Sequence, residues 1–242
     1  LQIEPVQATT DQRKTVHLND AGCPRYAGRV ISGINPQATT PAWMAEKLRR
    51  CGLRSHSLLV DITNYVLLAL GQPMHAFDLD QLQGDLCVRL STAGEQLKLL
   101  NEQQVTLDDD TLLICDERGA VALAGVMGGF DSRVTDQTQN IFLESAFFAP
   151  LAIAGRARRY GLHTDASQRY ERGVDYQLPV LALEYATQLI MQYAGGQVGA
   201  VVLAERAVDL PVRAAIHLTL AQTSRLLGFD VSAEFVVDSL QR

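Results

Sequence analysis

Between Leu86 and Ala146 the chain carries six short apolar runs separated by turn residues, with no helical period among them. Leu86–Leu90, Gln96–Leu100, Gln104–Leu107, Thr111–Cys115, Ala120–Ala124 and Asn140–Ala146 each read as a strand, and Asp108-Asp109-Asp110 and Glu117-Arg118-Gly119 supply turns. A parallel doubly wound sheet needs a crossover helix after each strand. Strands that follow one another this closely pair antiparallel or in a mixed sheet. The expected class is therefore α+β: a layered domain around a large mixed, mostly antiparallel sheet with flanking helices, followed by the start of a small helical domain.

The flanks supply the helices. Tyr26 to Ile34 reads as a strand ended by Gly33 and Asn35-Pro36. Thr39-Thr40-Pro41 signals a helix start with a threonine cap, Met44, Leu48 and Cys51 recur at helical spacing, and Gly52 closes the helix. A second helix over about 57–70 is apolar nearly all round, so Asp61 and Asn64 within it need polar partners. Pro150–Tyr160 and Leu178–Ala194 read as helices and Val198–Leu203 as a strand. Beyond Pro211 the pattern predicts a strand over 215–220, a helix over 221–227 and a helix from Ser232. Residues 1–22 are polar and aperiodic, as in a linker or the end of a preceding domain. The chain opens without Met and stops within a helical pattern at Ser239-Leu240-Gln241-Arg242, which suggests a piece of a longer protein.

Hydrophobic residues make up 47% of the 242 residues and charged residues 20%, enough to build a core. The net charge of −6 does not mark a nucleic-acid-binding domain, so any RNA contact comes from local patches. Four cysteines at 23, 51, 87 and 115 never form CxxC, which argues against a zinc ribbon or a disulfide framework and for reduced thiols in the cytoplasm. The start lacks a signal peptide, and no apolar run approaches the ~20 residues that span a membrane. GxxxxGK[ST], GxGxxG, HExxH and GxSxG are all missing, so ATP chemistry is not expected here.

Several polar residues stand in apolar surroundings. His75 lies in Gly71–Asp78, a tight loop after the second helix; its ordinary reading is a core-edge histidine bonded to backbone. Glu144 shares a strand face with Phe142 and Ala146, which is costly unless the carboxylate is paired or faces a cleft. Ala124-Gly125-Val126-Met127-Gly128-Gly129 either presents N–H groups to a ligand or simply turns. Between 156 and 172 five arginines face Asp165 and Glu171, interleaved with tyrosines, a pattern that suits a phosphate backbone and unstacked bases but equally a solvated helix face. A metal site of His75, Asp78 and His163 fits no common ligand spacing.

Cys23-Pro24-Arg25-Tyr26, Trp43–Gly52, Val60–Val66, Gly71–Asp78, Gly125–Gly129, Asn140–Phe148 and Gly155–Asp175 together resemble the β subunit of bacterial phenylalanyl-tRNA synthetase, over roughly 23–205. The resemblance implies an editing module over 23–205, the end of a preceding domain over 1–22, and the truncated beginning of a small helical domain over 206–242. It implies hydrolysis of tyrosine mischarged on phenylalanine tRNA. Glu144 matches the carboxylate that accepts the tyrosine hydroxyl, and Gly128 a glycine whose backbone approaches it. His75 and Asn64 match catalytic positions near the ester and its attacking water, Arg54 a basic residue near the tRNA end, and Thr164 and Ala166 pocket walls. Arg156, Arg158, Arg159 and Lys47 are the tRNA-contact candidates. Ala124 departs from the family, which often has glycine there. The implied partners are phenylalanine tRNA and the synthetase α subunit, in an assembly of two α and two β subunits. No cofactor is implied for this piece, since ATP and Mg belong to the α subunit. A structural or tRNA-docking module without editing activity is the alternative.

Overall fold

The computed structural model describes residues 3–242, so the first two residues of the 1–22 segment lie outside the described residues. The chain divides into two compact units after Leu210. In the first unit the elements begin with β1 (Val16–Leu18), β2 (Arg25–Ser32), α1 (Ala42–Arg50), α2 (Leu58–Leu70) and β3 (Met74–Asp78). The strand-rich middle follows: β4 (Leu86–Leu90), β5 (Gln96–Lys98), β6 (Gln104–Thr106), β7 (Leu112–Asp116), β8 (Gly119–Leu123), β9 (Met127–Gly128) and β10 (Ile141–Phe147). The unit closes with α3 (Pro150–Ile153), α4 (Arg156–Arg159), α5 (Asp165–Arg172), α6 (Leu178–Tyr193), β11 (Gln197–Val198) and β12 (Val202–Glu205).

The α+β class holds, with the strands shared between two five-stranded sheets. One runs β1-β4-β7-β8-β9, with β1 and β4 parallel and the other pairs antiparallel. The other runs β11-β2-β10-β3 with β12 also on β2, all antiparallel. β5 and β6 form a separate two-stranded ribbon. Val30, Phe77, Phe142 and Ala146 of the second sheet pack with Leu86, Val88, Leu113 and Leu123 of the first, forming an inter-sheet core. Ala27, Ile31, Ile141 and Leu143, on the opposite face, pack with α1, α2 and α6. β10 is thus buried along its whole length, and strand alternation sends its residues to two different cores.

Local chemistry explains most boundaries. α1 starts from Pro41 without a side-chain cap. The Thr40 hydroxyl instead donates to Asp61 at 2.6 Å, joined by Ser55 Oγ and the His56 N–H, which satisfies the buried Asp61 carboxylate. Gly71, at φ +77°, ends α2. Besides the threonine cap expected for α1, three expectations need correction. Met74–Asp78 is a strand on the edge of the second sheet, not a tight loop; its Met-His-Ala-Phe-Asp pattern has little alternation to announce it. The 150–160 helix breaks at Gly155, whose φ of +77° interrupts it. Residues 165–172 are helical, as the helix-face reading of the arginine run allowed, and start where Thr164 accepts from Ser167 N and completes a capping box. In the second unit, residues 211–219 have no regular structure and Ile216 is exposed: the apolar alternation there meets no pairing strand among the described residues. The second unit comprises α7 (Leu220–Leu227), ended by Gly228 at φ +79°, and α8 (Ala233–Gln241), capped by Ser232.

One buried ion pair ties the first unit together. Arg29, 2% exposed on β2, donates to Glu184 of α6 at 2.8 Å, to Gly199 O at 2.8 Å and to Val6 O at 2.7 Å. Removing one partner strands the other charge. Arg29→Leu should lower stability by about 3–5 kcal/mol in urea unfolding, and adding Glu184→Leu should recover part of the loss. Strictly additive effects of the two substitutions would contradict this role.

Candidate functional site

Between the two sheets the core is incomplete. A partly open recess of about 70 Å³ is lined by His75 of β3, Glu144 of β10, the Gly125–Gly128 segment, Phe148, and Ala166 and Tyr170 of α5. Strand pairing builds its polar wall: Glu144 lies opposite His75 on one side and opposite Gly28 on the other. Directly opposed residues of antiparallel strands share a face, so the carboxyl and the imidazole face the same recess.

Burial governs both groups. Glu144 is 5% exposed. Desolvation pushes its carboxyl up to about 8, opposed only by the neighbouring Tyr26 hydroxyl. That hydroxyl lies beside the carboxyl but outside strict hydrogen-bond geometry, and nothing else pairs with it. Burial lowers His75 to about 4, so its imidazole is neutral at physiological pH. Its Nε2 is buried without a partner, and the ring rests edge-on against Phe77 at 4.4 Å. Gly128 is dictated by this ring: a Cβ there would lie 2.5 Å from Cε1 and 2.6 Å from Nε2 of His75. Gly28 likewise leaves room for Phe142, whose Cζ would sit 2.1 Å from an added Cβ.

The back of the recess is held by groups that sequence patterns did not single out. Tyr170 Oη donates toward Ala146 O (3.1 Å) and Pro73 O (3.2 Å), and Gln72 Nε2 donates to Ala146 O at 2.8 Å. The one available signal was alternation: Tyr26 and Gly28 share a strand face, which matters only once β10 is known to pair with β2.

Other candidates fall elsewhere. Thr164 caps α5 and donates to Val126 O at 3.0 Å, bracing the glycine-rich segment that lines the recess. Asn64 is half-buried on α2, which packs among the helices on the opposite face of the second sheet, outside the recess. Arg54 is exposed ahead of α2. Arg156 pairs with Asp110 at 2.9 Å, and Arg159 with Asp108 at 3.1 Å and with Asp110, so their charge is largely committed. Arg158 is exposed, and Lys47 lies over the rings of Trp43 (5.3 Å) and Tyr65 (5.5 Å). Among the described residues no three His, Cys, Asp or Glu side chains gather to hold a metal. His163 instead meets Gln168 at 2.8 Å, and Asp78 accepts from Thr138 Oγ1 at 2.5 Å. No helix among the described residues is long and apolar enough to cross a membrane.

The class of the protein follows from its match to a known family: the B3/4 domain family matches residues 22–195, and the chain belongs to it. At the level of particular proteins, the chain is 57% identical over 240 residues to the phenylalanine–tRNA ligase beta subunit of Acinetobacter baylyi, covering 99% of this chain and 30% of that protein. It is 58% identical over 224 residues to the same subunit of Xanthomonas euvesicatoria, covering 92% of this chain and 28% of that one. The chain thus spans about 30% of the length of these relatives. A crystal structure of an N-terminal fragment of the phenylalanyl-tRNA synthetase beta-subunit from Pyrococcus horikoshii shares the fold, with a TM-score of 0.54 at 12% identity over 95% of this chain and 64% of that one.

The two shifted groups set opposite stability slopes. Glu144 titrates near 8 folded and near 4.5 unfolded, so the native state holds an extra proton between those values and stability falls as pH rises through them. His75, about 4 folded and 6.5 unfolded, makes stability rise with pH over its own window. From pH 6.5 to 8 only Glu144 acts. There the chain should lose up to about 1.4 kcal/mol per pH unit relative to Glu144→Gln in denaturant melts. A constant difference between the two proteins over that window would refute the buried-acid description.

Proposed function

We infer that the recess is an editing pocket that hydrolyses tyrosine wrongly esterified to phenylalanine tRNA, with residues 23–205 as the module that carries it. The single observation behind this reading is a buried acid with no ion-pair partner, lining a small recess opposite a neutral imidazole. Tyrosine and phenylalanine differ by one hydroxyl, and a pocket that merely excludes the larger side chain discriminates weakly. A site that requires the hydroxyl selects strongly, because hydrogen bonds to charged groups contribute about 1.5–3 kcal/mol.

The raised pKa refines how the selection works. At pH 7 the empty pocket holds Glu144 largely protonated. A phenol that donates to it stabilises the carboxylate, and ionising the acid costs about 1.4 kcal/mol at that pH. Phenylalanine offers no donor, so the acid stays neutral and contributes nothing to its binding. His75, held neutral, is a weak base. It is better suited to orient the attacking water than to take its proton. The ester bond is activated, so orientation supplies much of the needed catalysis. The hydrolysis needs no cofactor in this chain. The proposed partners are phenylalanine tRNA and a synthetase α subunit, in an assembly of two α and two β subunits, where ATP and Mg act.

The test is deacylation of tyrosine-charged and phenylalanine-charged phenylalanine tRNA by the complete synthetase. Glu144→Ala should reduce release of tyrosine at least about tenfold, and Ala166→Trp should block it by filling the recess. Unchanged tyrosine release in both variants rules the pocket out. Arg156 and Arg159, paired with Asp108 and Asp110, offer less free charge to a purely RNA-docking role than exposed Arg158 does.

A further inference from the structure

Tyr26 is fully buried and does not line the recess; it stands behind Glu144. Its register partner on β10 is Ala146, which puts it diagonal to Glu144 on the same sheet face. The ring is fixed by stacking on Phe142 at 6.4 Å and 10°. Its hydroxyl has no hydrogen-bond partner and no access to water, a costly state for a phenol. Three titratable groups lie near enough to perturb it: Glu144, Cys23 and Tyr170. Two are committed elsewhere. Cys23 Sγ donates to Arg25 O at 3.6 Å, and Tyr170 Oη serves Ala146 O and Pro73 O. Only the Glu144 carboxyl has acceptor capacity to spare.

We propose that Tyr26 is a positioning residue that determines specificity: its hydroxyl donates to one oxygen of Glu144 and leaves the other as the acceptor for a phenolic ligand. The proposal rests on the editing reading and deepens it. A lone carboxyl in this setting can rotate, and it can stay protonated, where it discriminates poorly. A donor fixed behind it favours the charged form and aims the free oxygen at the recess. The groups facing Glu144 are Tyr26 from β2, Cys23 ahead of β2, His75 from β3 and Tyr170 from α5. His75 is neutral above about pH 4, and burial holds Cys23 and Tyr170 well above their ordinary pKa values. Near neutrality, Glu144 is therefore the group in this cluster that titrates.

Calorimetric titration of the whole chain with L-tyrosine and L-phenylalanine, from about pH 6 to pH 9, tests this. Tyrosine affinity should rise with pH and level off once Glu144 ionises, while phenylalanine affinity stays flat. Tyr26→Phe keeps the ring and removes the donor. It should raise the midpoint of the tyrosine curve by about one pH unit and weaken tyrosine binding at neutral pH about tenfold, with phenylalanine unaffected. A folded Tyr26→Phe whose tyrosine curve superimposes on wild type overturns the proposal and leaves the editing reading intact. No tyrosine preference in wild type, or its persistence in Glu144→Gln, overturns both. If Tyr26→Phe does not fold, replacement of Tyr26 by 3-fluorotyrosine preserves the shape and strengthens the donor. The midpoint should then fall, and an unmoved midpoint overturns the proposal.

Discussion

β10 is hydrogen-bonded on both edges and covered on both faces, and the placement of every group in the recess follows from it. Pairing with β2 and β3 fixes Glu144 between Gly28 and His75. Alternation then directs Phe142, Glu144 and Ala146 toward the other sheet, and Ile141 and Leu143 toward the helices. A one-residue slip would turn the acid into the helix-covered core and the leucine into the recess. Two apolar cores of different shape oppose such a slip, so the fold holds a charge-bearing side chain where solvation alone would expel it.

The consequences for the two polar groups are opposite in sign and share one cause. Water exclusion raises the acid toward 8 and lowers the imidazole toward 4, so both are neutral in the empty pocket near pH 7. In the proposed function a phenol changes this, because it donates to the Glu144 oxygen that faces the recess. Recognition of the hydroxyl would then be coupled to loss of a proton from Glu144. Selection of this kind depends on the recess staying dry, which the tight approach of Gly128 to the His75 ring and of Phe142 to Gly28 helps secure.

Much of this was legible in the chain. The helix-free strand run predicted α+β, and an acid sharing a strand face with Phe142 and Ala146 had to be either paired or set in a cleft. The glycine-rich run stood out too, although its reason, the imidazole packed on Gly128, is tertiary. What the sequence concealed was long-range pairing. Met74–Asp78 lacks alternation, so its strand, and with it the juxtaposition of His75 and Glu144, emerges only from the pairing with β10. The division into two sheets is hidden for the same reason. The arginine run read equally as a phosphate-binding strip or a solvated helix face, because Asp108 and Asp110, about fifty residues away, meet Arg156 and Arg159 only in three dimensions. Tyr26 entered only as the start of a strand, and its unpartnered hydroxyl is visible only in three dimensions.

The central claim is that the buried acid receives a phenol oxygen. A crystal structure of the chain soaked with L-tyrosine, alongside one soaked with L-phenylalanine, addresses it directly. The account predicts tyrosine in the recess with its hydroxyl about 2.5–2.7 Å from a Glu144 oxygen, and no ordered phenylalanine under the same conditions. Tyrosine bound with its hydroxyl away from Glu144, or phenylalanine seated equally well, would contradict it.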